Sequence, residues 1–366
     1  MKIYPFKGSH PKIELITSPK SFFSTIKMEY REYKENNIYN DLDDTGFFVY
    51  QIKSELRSHT GLLCLTDVKE IKNSRVLKHE KTLAAKEQQM MHLLLQRKAL
   101  VKPVLLGFHS NKTINDILAK TTKKTPLLSF SFKSDSEEHL VWQIKDKSLV
   151  NNLLTAFGKI NKAYIGDGHH RSATIKLLSE SKQFGSEAKK YKQFYTAYFP
   201  FDQLQICDYN RVVDISDITT LPEFIIGLSK YFDFQKLKLA DKPKKKHQLT
   251  FYIDGLWYKA SWKEKYTKKK KSQVLLDSAL VNKYVFGELL GIKDVRVDTR
   301  ISYFGGTQPL EKIENSADKK VNGIGICIYP VTVKELTALA DKKQTLPPKS
   351  TWFLPRLKSG IITKDL

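Results

Sequence analysis

Tyr164-Ile165-Gly166-Asp167-Gly168-His169-His170-Arg171-Ser172-Ala173 is the stretch on which the reading turns. A short apolar strand, Lys162 to Ile165, runs into two glycines that bracket an acid. Two histidines and an arginine then open a helix expected over His169 to Ser181. Glycines permit a tight turn and close backbone approach. The open amides and the positive dipole end of the first helical turn favour an anion. Arg171 adds a rigid donor fork, and His169 and His170 can donate hydrogen bonds or carry protons. Asp167 could cap the helix or hold an imidazole tautomer. A capped helix with chance histidines is the plainer alternative.

Two further segments carry chemistry. Lys78-His79-Glu80-Lys81-Thr82 precedes a helix expected over Thr82 to Arg97, with Thr82 as its cap. Glu80 is a candidate general base, and His79 can contact phosphate. A zincin pair is excluded, because Leu83 stands where the second histidine would be. The third segment is Pro347-Pro348-Lys349-Ser350-Thr351-Trp352-Phe353. It lacks the glycines of a phosphate-binding P-loop. What remains is a proline-stiffened strip with Lys349, Ser350 and Thr351, suited to a second phosphate clamp. Taken singly, these two segments also read as a surface helix start and a chain-end loop. No metal-ligand pattern stands out.

Outward from these, the chain reads as mixed strands and helices without strict alternation, an α+β class. Strands are expected at Gly46–Ile52, Gly61–Thr66, Val101–Phe108, Phe194–Phe199 and Leu204–Tyr209. Leu127–Phe132 and His139–Ile144 alternate as a hairpin pair. Helices are expected at Pro19–Lys34, Leu149–Phe157, Leu221–Tyr231, Leu280–Leu290 and Thr332–Asp341. Asp254-Gly255 marks a hairpin between Gln248–Ile253 and Leu256–Trp262. The character shifts after Asp214, dividing the chain into 1–215 and 216–366.

The 366 residues carry 62 basic against 39 acidic side chains, a formal charge of +23. Nine of the basic residues are arginine and the rest lysine, the less suited to bidentate recognition of bases and phosphates. Runs such as Lys242–Lys246 and Lys268–Lys271 read as solvated loops or as attractors of anions. Aromatics do not interleave with them, and no helix-turn-helix is legible. Three scattered cysteines argue against a disulfide framework. No apolar run reaches the length of a membrane span. A cytoplasmic setting without membrane partners is expected.

His79-Glu80-Lys81-Thr82, Asp167-Gly168-His169-His170-Arg171, Asn210-Arg211-Val212-Val213 and the block from Pro347 through Pro355 to Ser359-Gly360, in this order, resemble the DUF1015-type family of conserved uncharacterised proteins. The likeness spans nearly the whole chain. The Asp-Gly-His-His-Arg turn is similar to that of the ParB/sulfiredoxin-like superfamily, which includes nucleotide-dependent free-serine kinases. The resemblance implies a ParB/sulfiredoxin-like mixed core with an additional C-terminal α+β region, whose final segment returns to the site. It implies that Gly168, His169, His170, Arg171 and Ser172 hold phosphate, with His79, Lys349, Ser350 and Thr351 assisting. Glu80, His170 and Asp167 would be catalytic, and ATP or ADP with Mg2+ the cofactor. The expected activity is phosphotransfer to a small hydroxylated metabolite such as free L-serine. A phospho-ligand sensor or phosphatase is the first alternative, and a ParB-like DNA-binding regulator the second. The family's arginine-proline pair reads His10-Pro11 here, its Pro-Tyr-Asp-Val segment is degraded around Ser18-Pro19-Lys20, and Asn210 replaces a histidine.

Overall fold

A computed structural model describes residues 1–55, 57–132, 137–268 and 274–366. The chain forms two compact units: Met1–Gln205 together with Pro355–Leu366, and Ile206–Leu354. The first change of unit therefore falls at residue 205, beside the expected 215, and the last segment of the chain rejoins the first unit. Both units are mixtures of helix and strand, so the α+β class holds.

The first unit is built on a mixed sheet. Its strand order is Val76–Leu77, Ala163–Asp167, Val104–Phe108, Gln193–Pro200, Ser58–Asp67, Tyr39–Lys53, Glu137–Ile144 and Leu128–Phe132. Val104–Phe108 is buried at every residue, and Gln193–Pro200 at all but Gln193, which requires cover on both faces. One face receives the helix Lys147–Gly158, through Phe157 against Phe108 and Tyr198. The helices Ala84–Arg97 and His169–Glu180 pack against each other, and Leu94 and Ile175 share a cavity wall with Val104 and Phe194. The strand expected over Val101–Phe108 starts late, at Val104. Ala99–Leu100 pairs with Lys364–Asp365, and Val104 follows Pro103, which has no N–H to give a ladder.

The helix expected from Thr82 begins at Ala84. Leu83, extended at φ −101° and ψ 127°, occupies the cap position, with no side-chain cap. Thr82 is therefore not the cap. A helix absent from the sequence reading runs over Lys112–Thr121, capped by Asn111, which accepts from the Ile114 amide.

The second unit carries an antiparallel sheet in the order Phe232–Lys236, Leu256–Trp262, Gln248–Ile253, Gly323–Ile328, Tyr209–Asp214, Ile301–Gly305. Asp254 and Gly255, at φ 48° and 74°, make the expected hairpin turn. Capping boxes start Leu221–Ser229 and Val333–Asp341. The helix expected at Leu280–Leu290 is an α turn, Asp277–Leu280, that widens into a π-helical stretch, Val281–Leu289. The expected strand Leu204–Tyr209 breaks at Asp208, and Asn210 and Arg211 lie buried in Tyr209–Asp214. Among the described residues no helix is long and apolar enough to cross a membrane.

Candidate anion site at the Asp167–Arg171 turn

The strand Ala163–Asp167 ends in an irregularity. Ile165 faces Leu106 but Asp167 faces Leu105, so Gly166 is an inserted residue that re-aims the next side chain. Gly168 follows at φ 102°, a conformation costly for any residue with a Cβ. A Cβ there would also stand 2.6 Å from Arg171 Nη2 and 2.7 Å from Nε, because the guanidinium lies back over the turn. Glycine is thus required twice. The helix His169–Glu180 then starts without a side-chain cap. Asp167 does not cap it. Its Oδ2 accepts from Arg171 Nη2 at 3.0 Å and lies 3.8 Å from Lys102 Nζ.

Positive charge exceeds negative around this turn. Burial alone would raise the Asp167 carboxyl, yet Arg171, Lys102 and Arg356 together hold it far below the usual carboxylate range. The cations press on one another in turn. Burial, then Arg171, with Arg356 and Lys27 adding, brings the Lys102 ammonium down to about 8 against the pull of Asp167. Burial likewise lowers Arg97 to about 10, with Arg171 contributing. Arg171 Nε is buried with no hydrogen-bond partner. Lys27, Arg97, Lys102 and Arg171 line one cavity of about 80 Å³ whose remaining wall is largely apolar, including Leu94, Val101 and Phe194. Lys27 is exposed and the other three are half-buried, and a surplus of cation partly withdrawn from water is costly unless an anion joins it. This arrangement can hold an anionic group against an apolar surface.

The second half of the site comes from a neighbouring strand. Val76–Leu77 pairs in parallel with Ala163–Tyr164, so both chains leave the sheet at the same end. His79 and Glu80 are thereby delivered beside His169. The His169 Nε2 accepts from the His79 amide at 3.4 Å, which leaves the ring proton on Nδ1, 3.6 Å from Glu80 Oε2. The two imidazoles meet edge to face, with centroids 4.5 Å apart. Both rings are buried. Burial takes His169 down to about 3 despite Asp167, and burial with the neighbouring His169 takes His79 well below its ordinary value. They are neutral imidazoles at physiological pH. One donor atom from each of His79, Glu80 and His169 falls within 4.8 Å of the others. This trio could hold a metal ion, which no local sequence spacing announced, since its third member is far along the chain.

The remaining expected residues are distributed more widely. His170 points elsewhere than His169, as successive helical residues must. Burial lowers its pKa, as does Lys86, with Glu87 opposing. Ser172 donates to the His169 carbonyl at 2.9 Å, inside its own helix. Lys349, Ser350 and Thr351 belong to the second unit. There Ser350 Oγ donates to the Pro347 carbonyl at 2.7 Å and lies 2.9 Å from Ser278 Oγ, while Lys349 Nζ reaches Tyr209 OH at 3.4 Å. Sequence reasoning missed Lys27, Arg97 and Lys102. Arg356 lay within the quoted C-terminal block, beside Pro355, but was not singled out.

Comparison with known proteins gives a family and a set of distant structures. A family model described as "Protein of unknown function (DUF1015)" matches residues 9–279. No curated protein matches the chain. A free serine kinase in complex with AMP is 12% identical, at TM-score 0.41, over 82% of this chain and 92% of that one. SbnI with C-terminal truncation, from Staphylococcus aureus, is 12% identical at TM-score 0.43, over 82% of this chain and 85% of that one. A conserved hypothetical protein from Pyrococcus furiosus is 11% identical at TM-score 0.39, over 83% and 94%.

Proposed function

The chain belongs to the DUF1015 family of proteins of unknown function, and we propose that it is a nucleotide-dependent phosphotransferase acting on a small hydroxylated metabolite, with free L-serine the first acceptor to try. The observation that carries this reading is the surplus of partly buried cation at the Asp167–Arg171 turn, with Arg171 Nε lacking a partner and Glu80 close by at His169. Phosphoryl transfer needs charge neutralisation, positioning and an acceptor for the hydroxyl proton, and little else. Arg171, Lys102 and the first amides of the helix would neutralise the phosphates. Glu80 would take the hydroxyl proton, with the His169 Nδ1–H steadying its carboxylate. Magnesium would enter with the nucleotide, bound chiefly by phosphate oxygens. A ParB/sulfiredoxin-like ancestry for the first unit fits this use of the turn.

A second reading is a phospho-ligand sensor or a phosphatase. The cavity of about 80 Å³ favours it, being small beside the few hundred Å³ common for drug-sized ligands. DNA binding is less favoured. In the run Lys242–Lys246, Lys242 pairs with Asp208, Lys244 with Asp241 and Lys246 with Glu335, so these charges are already engaged. The run Lys268–Lys271 extends beyond the described residues.

Phosphorus NMR of the protein with ATP or ADP, Mg2+ and serine tests the reading. The wild type should form a phosphate monoester of the acceptor. Glu80→Gln should lose about 10²–10⁴ in rate while still binding nucleotide. Equal rates in the two proteins, or no ester with any small hydroxylated acceptor, would pass first place to the sensor.

A further inference from the structure

We propose that His79, Glu80 and His169 form a binding site for one first-row transition-metal dication of the zinc type. The proposal goes beyond the phosphotransferase reading and does not rest on it. Two chain segments that are distant in sequence place two imidazoles and a carboxylate together, with donors within 4.8 Å of one another. His79 and His169 are buried, at 0% and 6% exposure, so the sheet and its helices fix the two nitrogen ligands. The Glu80 side chain, 36% exposed, closes the set from the solvent side.

The donor chemistry selects the ion. Magnesium and calcium take oxygen ligands, whereas two imidazoles with one carboxylate suit zinc and its neighbours. With metal–ligand bonds of about 2.0–2.2 Å, tetrahedral donors stand about 3.4 Å apart. The His169 Nδ1 to Glu80 Oε2 separation is already 3.6 Å, and the widest spacing in the set, within 4.8 Å, must close by no more than about 1.4 Å. Coordination through Nδ1 would move the His169 ring proton to Nε2 and give up the contact with the His79 amide, which at 3.4 Å is a long hydrogen bond. Three protein ligands leave a fourth position for water or substrate. Occupancy would also engage the carboxylate on which phosphotransfer would depend, so a loaded site should slow that reaction.

The test uses the full chain without nucleotide. Protein stripped with a chelator is dialysed against zinc or cobalt(II), then assayed by elemental analysis, calorimetry and visible absorption. The expected result is one ion per chain, intense tetrahedral-type cobalt bands, and no displacement by excess magnesium. Glu80→Gln, nearly isosteric, and His169→Ala should each weaken binding by about 10-fold or more, while His92→Ala, at an exposed position on the helix Ala84–Arg97, should not. If His169→Ala fails to fold, Glu80→Gln decides alone. Absence of a retained ion, displacement by magnesium, unchanged affinity in Glu80→Gln, or an equal loss in His92→Ala would each overturn the site. Phosphotransfer without metal retention would refute this proposal only, and metal retention without phosphotransfer would refute only the other.

Discussion

Lys102 is the residue whose chemistry the sequence hid most completely. Nothing separates it from the other lysines except the proline that follows it. In the fold it is held among Arg171, Arg356 and Lys27, and its ammonium is brought from 10.5 to about 8, mainly by burial. Between those two values the unfolded chain binds a proton that the folded chain does not, so Lys102 makes stability rise with pH across that window. Anion binding carries the opposite sign. A bound phosphate favours the ammonium, so affinity should fall as pH climbs through about 8, with proton uptake on binding. Calorimetry in buffers of different ionisation enthalpy measures that uptake, and Lys102→Met should abolish it. By contrast, the glycines around Asp167 and the adjacent Arg171 were legible, because a turn that forces φ positive leaves a compositional mark. The partnership of His79 with His169 left none, since it depends on strand pairing rather than spacing.

At the scale of elements, the C-terminal segment is tied into the first unit at several points. Lys364 pairs with Leu100, Ser9 with Thr363, and the Gly360 amide donates to the Val101 carbonyl at 2.8 Å. Tyr39 OH donates to the Gly360 carbonyl at 2.8 Å, and Ile361 and Ile362 are buried. Deleting residues 359–366 should therefore destabilise the first unit by about 4 kcal/mol or more, read as a lowered thermal midpoint. Arg356→Gln should weaken anion binding, read by calorimetry, because a cation acting on both Asp167 and Lys102 is lost. Most of the strands and helices were legible from periodicity. Some misses were boundaries set by one residue: a strand starts only after Pro103, and extended Leu83 delays a helix that Thr82 was expected to cap; others were whole elements, such as the strands Phe232–Lys236 and Ile301–Gly305. The helix Lys112–Thr121 carries Ile114, Ile117, Leu118 and Thr121 at helical spacing, with an asparagine cap, so its signal was present and unread.

At the scale of the whole molecule, the second unit, Ile206–Leu354, is an insertion between two parts of the first. Composition suggested a shift near residue 215 but could not show that the chain returns, because a return is made by pairing between sequence-distant strands. The second unit has its own antiparallel sheet and a core that includes Phe224, Phe251, Val285 and Phe286. Residues 206–354 expressed alone should thus unfold cooperatively on heating, followed by circular dichroism. A non-cooperative melt would mean that this unit needs the rest of the chain. The claim on which the functional account rests is that the Asp167–Arg171 turn grips phosphate, and calorimetric titration of ADP into wild type and Arg171→Ala tests it most directly. The account predicts saturable binding by the wild type, weakened by about 10-fold or more in Arg171→Ala as the charge-assisted fork is lost. Equal affinity in the two folded proteins, or no binding by either, would contradict it.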